Sequence, residues 1–401
     1  MGRSPKILIV GGFSFSRGAG GSNYVIGLGK ALSEAGFCVE YLCDDRHGKT
    51  VRQDFQEFTC HAVSRGPSLR GWKAAWKNLS ASEDALLKWL ERVPSDEFQI
   101  IIAYPGGLPV AFLWRLRRLC AAKAWKTAAV VVEWQQLWKY YPSKLRNLLL
   151  DMADQELQIR LVNKRFGHII AISSLLERYY RKSGCKVIRI PPMIDAEGQT
   201  LQRKPTPKQE AQGLRLLFSG AWLRDRLDII VKAVLLLRGE GKPIALEFLG
   251  PGVNDLRMNP NLQKQIMEGP EGAFRFHGWV PLEEARSITM SADFGILLRE
   301  RARWSNACFP SKVAEFQALG VPLLCNLTSD LAQSLRDGDN ALIVHEVTVE
   351  ALVATLRRGL ALTSGEKARL KQGSLECAAS IFDYRKHAEP LGAFFRGILN
   401  N

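Results

Sequence analysis

The stretch Asn306-Ala-Cys-Phe-Pro-Ser-Lys-Val-Ala-Glu-Phe-Gln-Ala-Leu-Gly-Val-Pro322 joins a loop to a helix and a strand. Pro310 suits the first turn of a helix, and Gly320 suits its C-terminal cap. In that frame the N–H groups near Ser311 and Lys312 point out of the helix beside a Lys ammonium, a seat for a phosphate. Glu315, one turn on, can accept hydrogen bonds from two neighbouring hydroxyls, as a ribose presents. A capped helix with an exposed Lys and Glu carries the same residues, so both readings stand at this point.

A second cluster, Ser219-Gly-Ala-Trp-Leu-Arg-Asp-Arg226, directly follows a predicted strand and precedes a helix. Arg224 and Arg226 then fall at the carboxyl edge of a sheet, where α/β proteins bind ligands. A departing diphosphate gains negative charge, and each charge-assisted hydrogen bond to it is worth about 1.5–3 kcal/mol. The duller alternative pairs Arg224 or Arg226 with Asp225 or Asp228. A third cluster follows the first strand: Gly11-Gly12, then Gly18-Ala-Gly-Gly-Ser22 at a helix start. Gly20 and Gly21 let backbone N–H groups approach an anion, or simply make a tight turn. The cluster lies too late after the strand for a dinucleotide fingerprint, and Asn23 holds the third glycine position.

The elements that must position these clusters read as alternating strands and helices. Strands are expected at Lys6–Val10, Cys38–Cys43, Ile100–Ala103, Ala128–Val132, His168–Ile172 and Val187–Ile190, with helices at Ser22–Ala35, Leu145–Phe166 and Leu175–Lys182. Residues 44–98, with Trp72 and Trp76, fit a surface insertion. Polar Glu197–Gln212, with two prolines, reads as a linker. A second series follows: strands Leu214–Phe218, Ile244–Gly250, Phe274–Phe276, Asp293–Leu298 and Pro322–Cys325, with helices Asp228–Arg238, Leu282–Ser291 and Pro310–Leu319. Unalternated Ile/Val runs between helices indicate parallel sheets covered on both faces. Two doubly wound α/β domains in tandem are expected. One spans 1–195 and the other 214–380, joined by a linker at 196–213, with 381–401 as a closing helix.

Composition excludes several classes. No apolar run reaches the roughly 18 residues that span a bilayer, and the start shows no signal-peptide pattern. A cytoplasmic protein is expected. The eight cysteines form no CxxC pair and the six histidines no HxxxH or HExxH spacing, which speaks against a disulfide framework or a metal site. Net charge is +15, and residues 101–150 hold eight basic residues against one acid, Glu133. Trp114-Arg-Leu-Arg-Arg-Leu119, with Lys123, Trp125 and Lys126, suits anionic lipid headgroups at the inner face of a membrane. A solvated basic face over core tryptophans is the alternative. Nucleic acid is not expected, since no recognition motif accompanies the charge.

Taken together, these residues resemble the GT-B glycosyltransferases, specifically their large retaining family four. Phe309 through Pro322 looks like its C-domain signature, and Ser219 through Arg226 is similar to its glycine and basic donor loop. Phe276-His-Gly-Trp-Val280 resembles the F-x-G-x-V element facing the nucleotide base. Ala292-Asp-Phe-Gly-Ile-Leu-Leu-Arg299 is similar to the strand ending in the donor pocket. Ile170-Ala-Ile-Ser173 and Pro191-Pro-Met-Ile-Asp195 look like the family's end of the N-domain.

The resemblance implies a GT-B fold, two Rossmann-like domains facing a central cleft, with the last helix returning to the first domain. It implies a nucleotide-sugar donor, UDP- or GDP-linked, as substrate, with no cofactor and no metal. By position, Arg226 and Lys312 would hold the diphosphate and Glu315 the ribose, these three carrying the catalytic roles. Gly220, Arg224, Gly278, Val280, Arg299, Pro310 and Ser311 would line the donor, and Gly20 and Gly21 the cleft. Glu133-Trp134, just after a strand, would offer the acceptor a base and a stacking ring, or form a structural pair. The family's first glutamate is missing: its position, eight before Glu315, is Ala307, with Glu300 nearby but off register.

The expected activity is transfer of a sugar, with retention, to a glycan or lipid-linked acceptor in surface or secreted polysaccharide synthesis. A GT-B sugar-nucleotide epimerase or phosphorylase, or a non-catalytic binding module, would share these residues.

Overall fold

The computed structural model describes residues 4–13, 20–44, 51–55, 57–63, 85–106, 108–134, 152–201, 213–220, 224–250, 252 and 259–400. They divide into two compact units. The first holds Met1–Met193, Asn306–Phe309 and Tyr384–Asn401; the second holds Ile194–Ser305 and Pro310–Asp383.

In the first unit the strands are β1 (Lys6–Gly11), β2 (Cys38–Asp44), β3 (Val51–Phe55), β4 (Phe58–Val63), β5 (Ile100–Tyr104), β6 (Lys126–Val131), β7 (His168–Ala171) and β8 (Lys186–Arg189). Its helices are α1 (Gly20–Glu34), α2 (Ala85–Arg92), α3 (Val110–Ala122) and α4 (Ser174–Lys182). The sheet order is β3-β4-β2-β1-β5-β6-β7-β8, parallel throughout except for the β3–β4 hairpin. Ile7–Val10 and Ile100–Ala103 are fully buried, as central strands covered on both faces must be.

Helix α1 reaches this sheet through a glycine: a Cβ on Gly29 would lie 1.8 Å from the Tyr41 hydroxyl. That hydroxyl donates to the Val25 carbonyl at 3.1 Å. Nothing larger than glycine fits there with Tyr41 in place.

Part of the expected surface insertion is instead sheet. β4 pairs in parallel with β2, and Phe58, Cys60, Ala62 and Val63 are buried; Trp72 and Trp76 lie outside the described residues. The expected helix Leu145–Phe166 is described from 152, and becomes a π turn at Gln158–Val162 and a 3-10 turn at Asn163–Phe166. Gly167, at φ 73°, ends it.

The second unit begins with α5 (Ala196–Leu201), a helix where a linker was expected; residues 202–212 lie outside the described set. Then come β9 (Leu214–Ser219), α6 (Leu227–Gly239), β10 (Ile244–Leu249), α7 (Pro260–Met267), β11 (Phe274–Gly278), α8 (Leu282–Ser291), β12 (Phe294–Leu297), α9 (Arg303–Ala307, which ends in the segment grouped with the first unit), α10 (Lys312–Ala318), β13 (Leu323–Cys325), β14 (Ala341–Ile343), α11 (Val349–Ala361) and α12 (Ser364–Cys377). The order β11-β10-β9-β12-β13-β14 is parallel throughout. Chain order reverses on either side of β9, a topological switch point, and its carboxyl end is where a ligand crevice forms.

One face of this sheet is filled by Leu216, Phe218, Leu246, Phe248 and Phe294 against Ile230, Val234 and Leu237 of α6 and Leu352 and Leu356 of α11. On β12, Gly295 leaves room for the Phe316 ring, which a Cβ there would meet at 2.8 Å. That contact seats α10 on the strand beside β9. Helix α13 (Arg385–Leu399) belongs to the first unit, where Phe395 packs against Phe37 with ring centroids 6.2 Å apart.

Candidate functional site

At the carboxyl edge of β9, β10 and β11 the chain turns each time through a glycine with positive φ: Gly220 at 115°, Gly250 at 121° and Gly278 at 69°. Other residues rarely adopt this region. The turns are laced together, with the Gly220 N–H donating to the Leu249 carbonyl at 3.3 Å and the Gly250 N–H to the Gly278 carbonyl at 3.0 Å. A Cβ added at Gly220 or Gly278 would meet nothing within 4 Å. Three adjacent strand ends thus present bare backbone. Gly250 was counted in the sequence only as a strand end; the Gly-Pro-Gly that it opens was the signal for a turn.

Beside this floor lies the basic loop. The Arg226 N–H donates to the Leu298 carbonyl at 2.7 Å, tying the loop to the end of β12. The Arg226 guanidinium donates from Nε to Asp228 Oδ1 at 2.9 Å and from a terminal nitrogen to Oδ2 at 2.7 Å. Its hydrogen bond to Asp228 raises the Arg226 pKa above its ordinary value, and the same bond lowers that of Asp228. The duller pairing considered from the sequence is therefore formed for Arg226. Arg224 is half-buried at the start of the loop.

Arg299, expected to line the donor, is 8% exposed, and its Nε donates to Asp225 Oδ1 at 3.1 Å. Its guanidinium lies 5.9 Å from the Trp304 ring centroid. The physical reason is Asp225: a carboxylate buried between two strand ends requires a cation, and Arg299 supplies it.

Helix α10, which crosses from β12 to β13, starts at this same edge. It opens at Lys312, two residues later than expected, with Ser311 as its N-cap residue and Pro310 accepting from the Val313 N–H at 3.0 Å. Gly320, at φ 66°, ends it. Lys312 Nζ donates to Glu315 Oε2 at 2.6 Å, and both side chains remain partly exposed. After β11, Gly278 leads to Trp279, 82% exposed, and to a half-buried Val280.

Ala307 is fully buried, and its carbonyl accepts from Ser173 Oγ at 2.8 Å within the first unit. Glu300, just past β12, lies close enough to Arg226 to contribute to its raised pKa.

In the first unit, Gly20 and Gly21 open α1, and the preceding residues 14–19 lie outside the described set. Glu133 is half-buried after β6. Trp134 is 6% exposed, its Nε1 donates to Glu156 Oε1 at 2.8 Å, and Tyr179 meets its ring edge-on at 4.9 Å. Arg160 lies over the same ring at 5.7 Å. Trp125 is likewise a core residue, its Nε1 donating to the Ser95 carbonyl. Trp114 is 45% exposed on α3, beside Arg165 at 5.7 Å.

Comparison with known proteins places the second unit. Residues 213–361 match the family described as glycosyl transferases group 1. No curated protein matches the sequence. Among solved structures, sucrose-phosphate synthase from Thermosynechococcus elongatus is similar with a TM-score of 0.71 and 15% identity, covering 99% of each chain. The Escherichia coli trehalose-6-phosphate protein bound with UDP-2-fluoro glucose gives 0.67 and 12%, covering 98% of this chain and 99% of that one. Anabaena HepE in complex with UDP-glucose gives 0.66 and 12%, again covering 98% and 99%.

Proposed function

We propose that this GT-B chain, whose second unit carries the group 1 glycosyl transferase pattern, moves a sugar from a nucleotide-sugar to a glycan or lipid-linked acceptor. The observation that carries the reading is the carboxyl edge of the second sheet. The bare turns at Gly220, Gly250 and Gly278 lie beside Arg226 there, at the edge where the helix bearing Lys312 and Glu315 begins. Two of the similar structures are complexes with UDP-2-fluoro glucose or UDP-glucose, which favours a UDP-linked donor.

In this reading the diphosphate lies over the glycine turns, where backbone N–H groups and the two cations offset its charge. Arg226 exchanges Asp228 for a phosphate oxygen, and Lys312 does the same with Glu315. The freed Glu315 carboxylate accepts from the ribose hydroxyls. As the sugar–phosphate bond breaks, negative charge grows on the leaving diphosphate, and donors already in place stabilise it without reorganising. The acceptor hydroxyl attacks from the face that the diphosphate leaves, and a phosphate oxygen takes its proton. The product then keeps the donor's anomeric configuration, and no metal is required.

The first unit takes the acceptor in this proposal. Trp114, Leu157 and Leu161 are exposed, as are Arg118, Arg160 and Arg165, with Arg165 5.7 Å from the Trp114 ring, a composition suited to anionic lipid headgroups. A lipid-linked acceptor in surface or secreted polysaccharide synthesis would be met there. Among the described residues no helix is long and apolar enough to cross a membrane.

Calorimetric titration with UDP, GDP and ADP tests the donor reading. Saturable binding of one of them that is lost in Arg226→Ala supports it, and no binding of any overturns it. Ala307 favours one second reading, a binding module without turnover. Donor hydrolysis or transfer by the wild type, absent in Glu315→Ala, excludes it.

A further inference from the structure

Arg299 lies at the candidate site but faces inward. Its backbone is clasped by Asn326, fully buried at the end of β13: Asn326 Oδ1 accepts from the Arg299 N–H at 2.8 Å, and Nδ2 donates to the Arg299 carbonyl at 2.8 Å. So held, the side chain reaches Asp225, whose own side chain is only 6% exposed. Asp225 sits between Arg224 and Arg226, and its carbonyl accepts from the Leu227 N–H at 2.8 Å where α6 begins. The Arg226 N–H in turn donates to Leu298, the residue before Arg299. The ends of β9, β12 and β13, neighbours in the sheet, are thereby tied through one ion pair and three hydrogen bonds.

We propose that Asp225 and Arg299 are positioning residues that fix the basic loop, so that Arg226 meets the donor diphosphate without rearranging the backbone. This rests on the reading that a nucleoside diphosphate binds at this edge. A purely stabilising role explains the pair poorly. Removing two charges from water costs about as much as their attraction returns, and paired apolar replacements commonly fold as well or better. Burial pushes the Asp225 carboxyl up despite the adjacent Arg299 and Arg224, so the desolvation is not fully offset. What apolar residues would not supply is direction. The ion pair and the Arg226 N–H bond together fix the direction in which Arg226 leaves the sheet edge.

The test is the double variant Asp225→Leu/Arg299→Met against each single variant and Arg299→Lys, with three readouts. The double variant is expected to melt near the wild type, whereas the singles, each leaving a buried charge unpaired, melt lower. Amide exchange at Arg226 is expected to rise by about tenfold or more in the double variant, while interior amides of α6 keep their protection. The kcat with a UDP-sugar is expected to fall by about 100-fold, the scale of an ångström's misplacement of a reacting group. Arg299→Lys keeps the charge without the planar fork and should recover part of that loss. A folded double variant with wild-type Arg226 exchange and wild-type kcat overturns the proposal. If the wild type binds no nucleoside diphosphate, the proposed function fails instead, and the Arg226 exchange still decides whether the pair fixes the loop.

Discussion

Lys312 and Glu315 neutralise one another across a single turn of α10, Nζ to Oε2 at 2.6 Å. In the proposed function each gives up the other for a different partner when a donor arrives. Lys312→Met is therefore expected to lower kcat by about 100- to 1000-fold, the usual cost of one pre-placed donor of positive charge. Glu315→Ala should instead weaken binding of the whole nucleotide, uridine included. Steady-state kinetics with a UDP-sugar and titration with uridine separate the two, and equal effects of both variants on both measurements would contradict the exchange.

Arg226 and Asp228 form the second such pair, with side chains 35% and 40% exposed. Pairs this exposed are worth about 0–1 kcal/mol. Asp228→Asn should cost little stability and leave Arg226 without its competing anion. UDP is expected to bind about two- to fivefold tighter, the factor that up to 1 kcal/mol allows. Calorimetry at low salt checks this, and weaker binding would assign Asp228 a role toward the donor itself.

The acidic limb of stability should report two carboxylates that do not belong to the site. Burial alone would raise the Glu247 carboxyl, but hydrogen bonds from Arg215 at 2.8 Å and His277 at 2.7 Å outweigh it and hold the pKa below its ordinary 4.5. Glu40 in the first unit is lowered chiefly by His61 at 2.7 Å, with Lys6 assisting. A carboxylate whose folded pKa is depressed stabilises fully above its unfolded value and loses that contribution as pH falls through the folded value. Glu247→Gln should therefore melt below the wild type at pH 7, by the worth of charge-assisted bonds, about 1.5–3 kcal/mol. The gap should close as pH falls below about 4.5. Melting curves from pH 7 to 3 measure it, and a gap that stays constant would mean the bonds do not depend on the charge.

What the sequence made legible follows from where the information is local. Runs such as Ile100–Ala103 and Ile7–Val10, short and apolar at every position, fit parallel strands covered on both faces. The β3–β4 hairpin escaped because Arg52, Gln53 and Asp54 carry no apolar pattern, and only the pairing of β4 with β2 explains it. The glycine and basic loop was legible as a cluster, but the partner of each cation was not. Arg226 pairs two residues away, which the sequence allowed as one alternative. Arg299 pairs with a residue 74 positions distant, which only the folded sheet brings near. For Trp134 the sequence left a stacking ring or a structural pair open, and its contacts with Glu156 and Tyr179, 22 and 45 positions along the chain, only the fold supplies.

The exposed face of α3 and the helical turns after it carry the last prediction. Trp114 presents nearly half its surface, Leu161 is 56% exposed, and Arg165 and Arg117 bracket them, with the Arg117 Nε donating to the Arg165 carbonyl at 2.8 Å. A Trp and a Leu left in water cost the fold, whereas at a bilayer interface both are favourable and each nearby Arg adds about 1 kcal/mol on an anionic surface. Vesicles containing anionic lipid should therefore sediment the wild type at low salt and release it as salt rises past the screening length. Neutral vesicles should not hold it. Trp114→Ala combined with Arg118→Glu removes one apolar anchor and reverses one charge, an expected loss of about 10- to 100-fold in partitioning. Because both residues belong to the first unit, UDP binding to the second should be unchanged in this variant. Binding to anionic vesicles that ignores both salt and these substitutions would assign the patch to the solvated exterior of the first unit.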